Sequence, residues 1–117
     1  MSLLNPSPAE LYDRISILNL KIQHSNGIIR DAFQLESKEL YDYGREHFKS
    51  INPQIPGYFA DLAEINAKLW QLEDKVRALP LIEDYIAITH FNNRRAEVCK
   101  GINSLFGLET TEKLYNS

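Results

Sequence analysis

The chain has 117 residues, 44% hydrophobic and 25% charged, which suits one soluble domain with its own core and leaves no room for two ordinary domains. That balance excludes disorder along the whole chain, and a formal charge of −3 excludes a generally basic nucleic-acid or acidic-membrane binder. Cys99 is the single cysteine, so an intramolecular disulfide and a cysteine-based zinc site are excluded as well.

The first element opens at Ser7-Pro8-Ala9-Glu10. Serine can cap a helix by accepting a backbone N–H, and proline is tolerated where the first turn has no use for its missing donor. Glutamate three residues after the serine can close a capping box. Leu11, Ile15, Leu18 and Ile22 follow on one helical face, with Ile17 and Leu20 widening it. A helix is therefore expected over 8–25, with Asn26-Gly27 as its stop. A second helix over 28–50 is less regular: Ile29, Phe33, Leu40 and Tyr43 or Phe48 share a face, and Gly44 weakens it. The stretch "NPQIPG", residues 52–57, reads as a break because two prolines and a glycine disfavour a helix.

A third helix is expected over 58–79, striped by Leu62, Ile65, Leu69, Leu72, Val76 and Leu79. Pro80 ends it, and a fourth helix follows over 81–105. Its expected inward positions are Ile82, Ile86, Thr89, Ala96, Cys99 and Ile102, and Gly107 supplies its stop. The tail "LETTEKLYNS" adds a short helical turn or lies along the bundle. There is no internal repeat, low-complexity run or hairpin signal. Four amphipathic segments with short connections imply an all-α fold, an antiparallel bundle of about four helices forming a single domain over 1–117.

Polar groups share these apolar faces. Asn66, Trp70, Glu73 and Arg77 recur at helical spacing beside the leucine stripe, and Asn92, Arg95 or Ala96, Cys99 and Asn103 make a comparable strip on the fourth helix. Arg14 and Lys21 share a side of the first. Asn66, Trp70, Glu73, Arg77, Asn92 and Arg95 are accordingly the candidate ligand-binding residues. Asn92 and Arg95 are expected to face the third helix while Arg94, about 200° around the axis from Asn92, is solvated. Two versions stand open. In one the groups satisfy each other, Arg95 pairing with Glu73 or Asp74, and fix helix register. In the other Arg77 and Arg95 share a concave surface around a small anion, which the planar guanidinium fork suits.

The series "ELYDRISILNLKI", "EINAKLWQLEDKVR" and "NNRRAEVCKGIN" resembles a small bacterial all-helical domain family of uncharacterised function, over nearly the whole chain. Members of that family also occur attached to glycosyltransferase or tetratricopeptide-repeat regions. The resemblance implies a helical domain and a surface-polysaccharide context, and it carries over no catalytic residue. "LYDRISILNLKI" also looks like the first helix of all-helical chorismate mutases, which hold a dianion with arginines and a lysine. The position matching that family's first arginine holds Tyr12, and the next falls near Ile29, one place from Arg30. A one-residue shift turns a helical side chain by about 100°. Helical nucleotide pyrophosphohydrolases supply a further likeness, since they hold Mg²⁺ on carboxylates three residues apart. Glu36 with Glu39, and Asp61 with Glu64, have that spacing, although Leu35 stands where that family has another glutamate and Glu64 where it has aspartate.

His24, His47 and His90 show no ligand spacing, Cys99 reads as a small core residue, and the five glycines form no phosphate loop. The expected function is a non-enzymatic helical interaction or small-anion-binding module without a cofactor, against the Mg²⁺-nucleotidase or mutase alternatives. Tyr41, Tyr43, Phe48, Tyr58 and Phe59 cannot all fit inside one small bundle, so a homodimer or protein partner is expected there, and no nucleic acid or membrane. The start "MSLLNPSPAE" lacks the basic region and apolar run of a signal peptide, and no stretch approaches the roughly 18 apolar residues of a membrane span. A cytoplasmic location is the corresponding expectation.

Overall fold

A computed structural model describes residues 6–48 and 52–108. It contains four helices, α1 (Pro8–Gln23), α2 (Gly27–His47), α3 (Ile55–Ala78) and α4 (Ile82–Leu105), and no strand among the described residues. The expected all-α architecture is therefore observed. The expectation for the tail from residue 109, and for the end of the second helix at 49–50, lies outside the described residues.

α1 begins with the Ser7 half of its expected capping motif. Ser7 is extended (φ −69°, ψ 164°) and its Oγ accepts the Glu10 N–H at 3.2 Å. The helix ends at Gln23, with His24 as its C-cap, so Asn26-Gly27 does not stop it. Those two residues open α2 instead: Asn26 is its N-cap and Gly27 takes φ +62° as the first helical residue. α3 starts three residues earlier than its sequence suggests. Pro56 falls in the first turn, where an N–H has no intrahelical partner to lose, so the proline that looked like a breaker is an initiator. Asn52 prepares the turn, its Oδ1 accepting the Gln54 N–H at 2.8 Å. α4 ends in a Schellman motif. Gly107 is left-handed (φ +73°), its N–H donates to Ser104 O at 3.1 Å, and the Leu108 N–H donates to Asn103 O at 3.0 Å.

α1 is the central helix. It packs against α2, α3 and α4, α3 packs against α4, and α2 leans chiefly on α1. Contacts fix the directions: Ala9 meets Asn103, Tyr12 meets Phe59 and His24 meets Trp70, so α1 runs parallel to α3 and antiparallel to α4. The α1–α2 and α3–α4 turns thus lie at the same end of the bundle. Ala9, Leu11, Ile15, Leu18, Leu62, Ile65, Leu69, Cys99 and Ile102 are the buried apolar residues. Close helix approach needs glycine at Gly101, where a Cβ would come within 2.8 Å of the Tyr58 ring.

Burial decays along the α3–α4 hairpin. Leu62, Ile65 and Leu69 are buried, Leu72 and Val76 are half-buried, and Leu79 is 61% exposed. On α4 the sequence overstates the inward stripe: Cys99 and Ile102 are buried and Ala96 half-buried, but Thr89 is exposed and Ile82 and Ile86 are 78% and 64% exposed. On α4 the reason is helical phase, since buried Asp84 and half-buried Ile88 hold the inward face while Ile82 and Ile86 lie about 100–140° around the axis from Cys99; on α3 it is length. α1 has 16 residues and α3 and α4 have 24 each. At 1.5 Å per residue these are about 24 Å and about 36 Å, so the hairpin overhangs the helix that covers its seam.

The aromatic patch expected at the break is mostly absorbed. Tyr43, Phe48, Tyr58 and Phe59 are half-buried and only Tyr41 is exposed. Phe48 packs on Phe106 with ring centroids 5.5 Å apart, and Tyr43 stacks on His47 at 4.1 Å. The larger open apolar surface is at the overhang end.

Candidate functional site

The polar centre of the bundle is assembled by three helices. Asp13, on α1, receives Arg95 of α4 through both carboxylate oxygens, the Nε contact to Oδ1 measuring 2.9 Å. Asn66 of α3 donates its amide to Asp13 Oδ1 at 3.0 Å and to Ser16 Oγ at 2.7 Å. Ser16 in turn donates to the backbone carbonyl of Asp13 at 2.7 Å. Asn66 and Ser16 are buried, and Arg95 keeps 33% of its side chain exposed against 14% for Asp13. Hydrogen bonding to Asp13 raises the pKa of Arg95 further, against the opposing effect of burial. A second polar anchor lies one end away: buried Asn103 accepts the Ala9 N–H through Oδ1 at 3.0 Å.

The candidate residues therefore separate. Asn66 and Arg95 meet, but through Asp13 rather than directly, and the expected pairing of Arg95 with Glu73 or Asp74 is replaced by Asp13. Asp74 instead receives Arg77, both on the exposed face of α3. Glu73 is exposed and acts on Arg95 only through its field. Asn92 is exposed, contrary to its expected place against α3, because the α4 stripe it shares with buried Cys99 is uncovered in the helix's first half. Arg94 is exposed with its guanidinium 5.9 Å from the Phe91 ring centroid. Trp70 is half-buried and stacks on His24 at 5.0 Å, away from the Asp13 cluster.

Sequence reasoning missed Asp13 and Ser16. Asp13 lies about 200° from Leu11 around α1 and so looks solvated. A helix with neighbours on several sides buries more than one face. The available signal was the pair of small residues Ala9 and Ser16, which mark a second packed face seven residues apart.

What the cluster can do chemically follows from its closure. Arg95 and Asn66 both direct donors to Asp13, so these groups hold each other and fix the register of three helices. The shallow cleft beside them, about 290 Å³, is lined by Glu10, Asp13 and Glu36 together with Arg14, Lys21 and Arg95, a balanced mixture of signs. The carboxylates of the magnesium alternative, Glu36 and Glu39 on α2 and Asp61 and Glu64 on α3, are all exposed. Among the described residues no three His, Cys, Asp or Glu side chains gather as a metal site. On the mutase likeness, Tyr12 packs edge-on to Phe59 at 6.0 Å and Arg30 donates through Nε to the Ser25 carbonyl at 3.1 Å.

Cys99 is buried, and loss of hydration pushes its thiol up from 9.0 to about 12, with the nearby Asp13 charge adding to the effect. A thiol held neutral is a poor nucleophile. Ellman's reagent is expected to label it only on unfolding. The linkage has a definite sign: stability from Cys99 is complete below pH 9.0 and is lost between there and about 12, where only the unfolded thiol ionises. The slope approaches about 1.4 kcal/mol per pH unit in that window. Denaturant titrations of the wild type and Cys99→Ala across it should differ by this slope.

Compared with family models, curated proteins and solved structures, the chain matches none. No helix among the described residues is long and apolar enough to cross a membrane.

Proposed function

We propose that this chain is a non-enzymatic helical interaction module that self-associates through the overhanging end of its α3–α4 hairpin. One observation carries the reading: Leu79, Leu81, Ile82, Tyr85 and Ile86 are all exposed on that overhang, while the polar centre is closed on itself. Leu79 continues the α3 stripe that is buried lower down, and Leu81, Ile82, Tyr85 and Ile86 extend the apolar surface around the start of α4. Such an apolar surface is best covered by another, and a second copy supplies an identical one. Two copies related by a two-fold axis present the same patch to each other. Contiguous exposed apolar side chains of this kind mark contact surfaces. The polysaccharide setting implied by the sequence resemblance adds a place to look for further partners and does not alter this reading.

Sedimentation velocity tests it. The wild type is expected to sediment as a concentration-dependent dimer, and Ile82→Glu/Ile86→Glu as a helical monomer. Both side chains are exposed in the single chain, so the double variant should retain its circular dichroism spectrum. A monomeric wild type throughout the accessible concentration range would reject self-association.

A further inference from the structure

A second feature at the same end is a groove between the α1–α2 turn and α3. Its volume is about 450 Å³, and Lys21, His24, Ile29, Phe33 and Trp70 form its working surfaces, with Ser25 and Asn26 at the turn. It is a broad surface groove rather than an enclosed cavity. Three of its lining residues are aromatic. Trp70 and His24 stack nearly parallel, with an interplanar angle of 13°, and Phe33 lies below the Lys21 ammonium at 5.6 Å.

Its charge is the reverse of the chain's. The protein carries a net −3, yet no carboxylate lines this groove. Lys21 is exposed and, among the described residues, forms no ion pair, its cation–π contact with Phe33 holding the ammonium at the groove. Arg30 donates through Nε at 3.1 Å to the carbonyl of Ser25, a residue that lines the groove. Lys21 also borders the mixed-charge cleft beside Asp13, where it shares the lining with Glu10, Asp13 and Glu36.

We infer that this groove binds a small phosphate monoester carried on a ring, with Lys21 and Arg30 meeting the phosphate and the Phe33–Trp70–His24 surface meeting the ring. Ammonium and guanidinium groups form charge-assisted hydrogen bonds to phosphate oxygens, and aromatic faces take either an aryl ring or the C–H face of a sugar. The site differs from the one expected from sequence: it shares Trp70 with that set but replaces Asn66 and Arg95 with Lys21 and His24. It is also independent of self-association, since none of its cations lies on the hairpin overhang.

Trp70 is the sole tryptophan, so its fluorescence reports the groove directly. Titrations with phenyl phosphate, glucose 6-phosphate, inorganic phosphate and benzyl alcohol separate the contributions of ring and anion. One or both monoesters should give a saturable change, and amide chemical-shift changes should concentrate at residues 21–33 and around Trp70. Lys21→Ala should weaken that binding about tenfold or more, as expected for a lost charge-assisted hydrogen bond. Which monoester binds more tightly identifies the ring as aryl or sugar. Repeating the titration on Ile82→Glu/Ile86→Glu should give the same affinity, so loss of the dimer and loss of the groove are read separately. The inference is overturned if neither monoester saturates, if inorganic phosphate or benzyl alcohol binds as tightly as the better monoester, or if Lys21→Ala leaves the affinity unchanged.

Discussion

Replacing Asp13 by alanine is expected to cost about 3 kcal/mol of folding stability, the largest single effect of a polar substitution in this chain. The carboxylate accepts from Arg95 on α4 and Asn66 on α3 while itself belonging to α1. Its loss leaves a half-buried guanidinium without its acceptor and removes one of the two hydrogen bonds of the buried Asn66 amide, which keeps Ser16 Oγ; desolvated donors without partners are more costly than the net gain from making the bond. The value sits at the lower end for broken buried pairs because Arg95 is 33% exposed and water can reach it. Removing both partners should be milder than the sum of the single changes. Chemical denaturation of Asp13→Ala, Arg95→Ala and the double variant would give the coupling directly. Additive costs, or a loss under about 0.5 kcal/mol for Asp13→Ala, would mean that the cluster is not what locks the three helices.

The second large effect is expected at Asn103. This side chain is 1% exposed, and its Oδ1 accepts the N–H of Ala9, itself fully buried in the first turn of α1. Ala9 N–H is one of the donors that a helix start leaves without an intrahelical acceptor. The protein thus caps one helix with an asparagine from another. Leucine at 103 has similar bulk but cannot accept a hydrogen bond, and burying the orphaned donor costs about 1–3 kcal/mol. Asn103→Leu should accordingly lower the denaturation midpoint, and amide exchange should accelerate first at the start of α1. An unchanged midpoint would contradict the role assigned to this contact.

These two groups show where the sequence was readable. The start of α1 was legible because the Ser7 cap and Pro8 act within a single turn, and the end of α4 because Gly107 answers a local need for positive φ. Local chemistry misled at Pro56, which is a breaker inside a helix and an initiator at its start; sequence alone does not say which. Asn26-Gly27 is ambiguous for the same reason, since both can end one helix or begin the next. The stripe of α3 was visible, but its exposure at Leu79 depends on where α1 stops, which is a property of another segment. The candidate site was half legible. Asn66 and Arg95 stood out as polar groups on apolar faces, whereas Asp13 looked solvated because the reading gave α1 one buried face and the bundle gives it more.

The central claim is a division of labour: the polar centre holds the bundle, and the overhanging hairpin makes the contact. Heteronuclear amide spectra recorded over a wide range of protein concentration test it most directly. Concentration-dependent shifts should concentrate at residues 79–86, while Asp13, Ser16, Asn66 and Arg95 stay fixed. Shifts centred on those four residues, or none at 79–86 as the concentration rises, would contradict it.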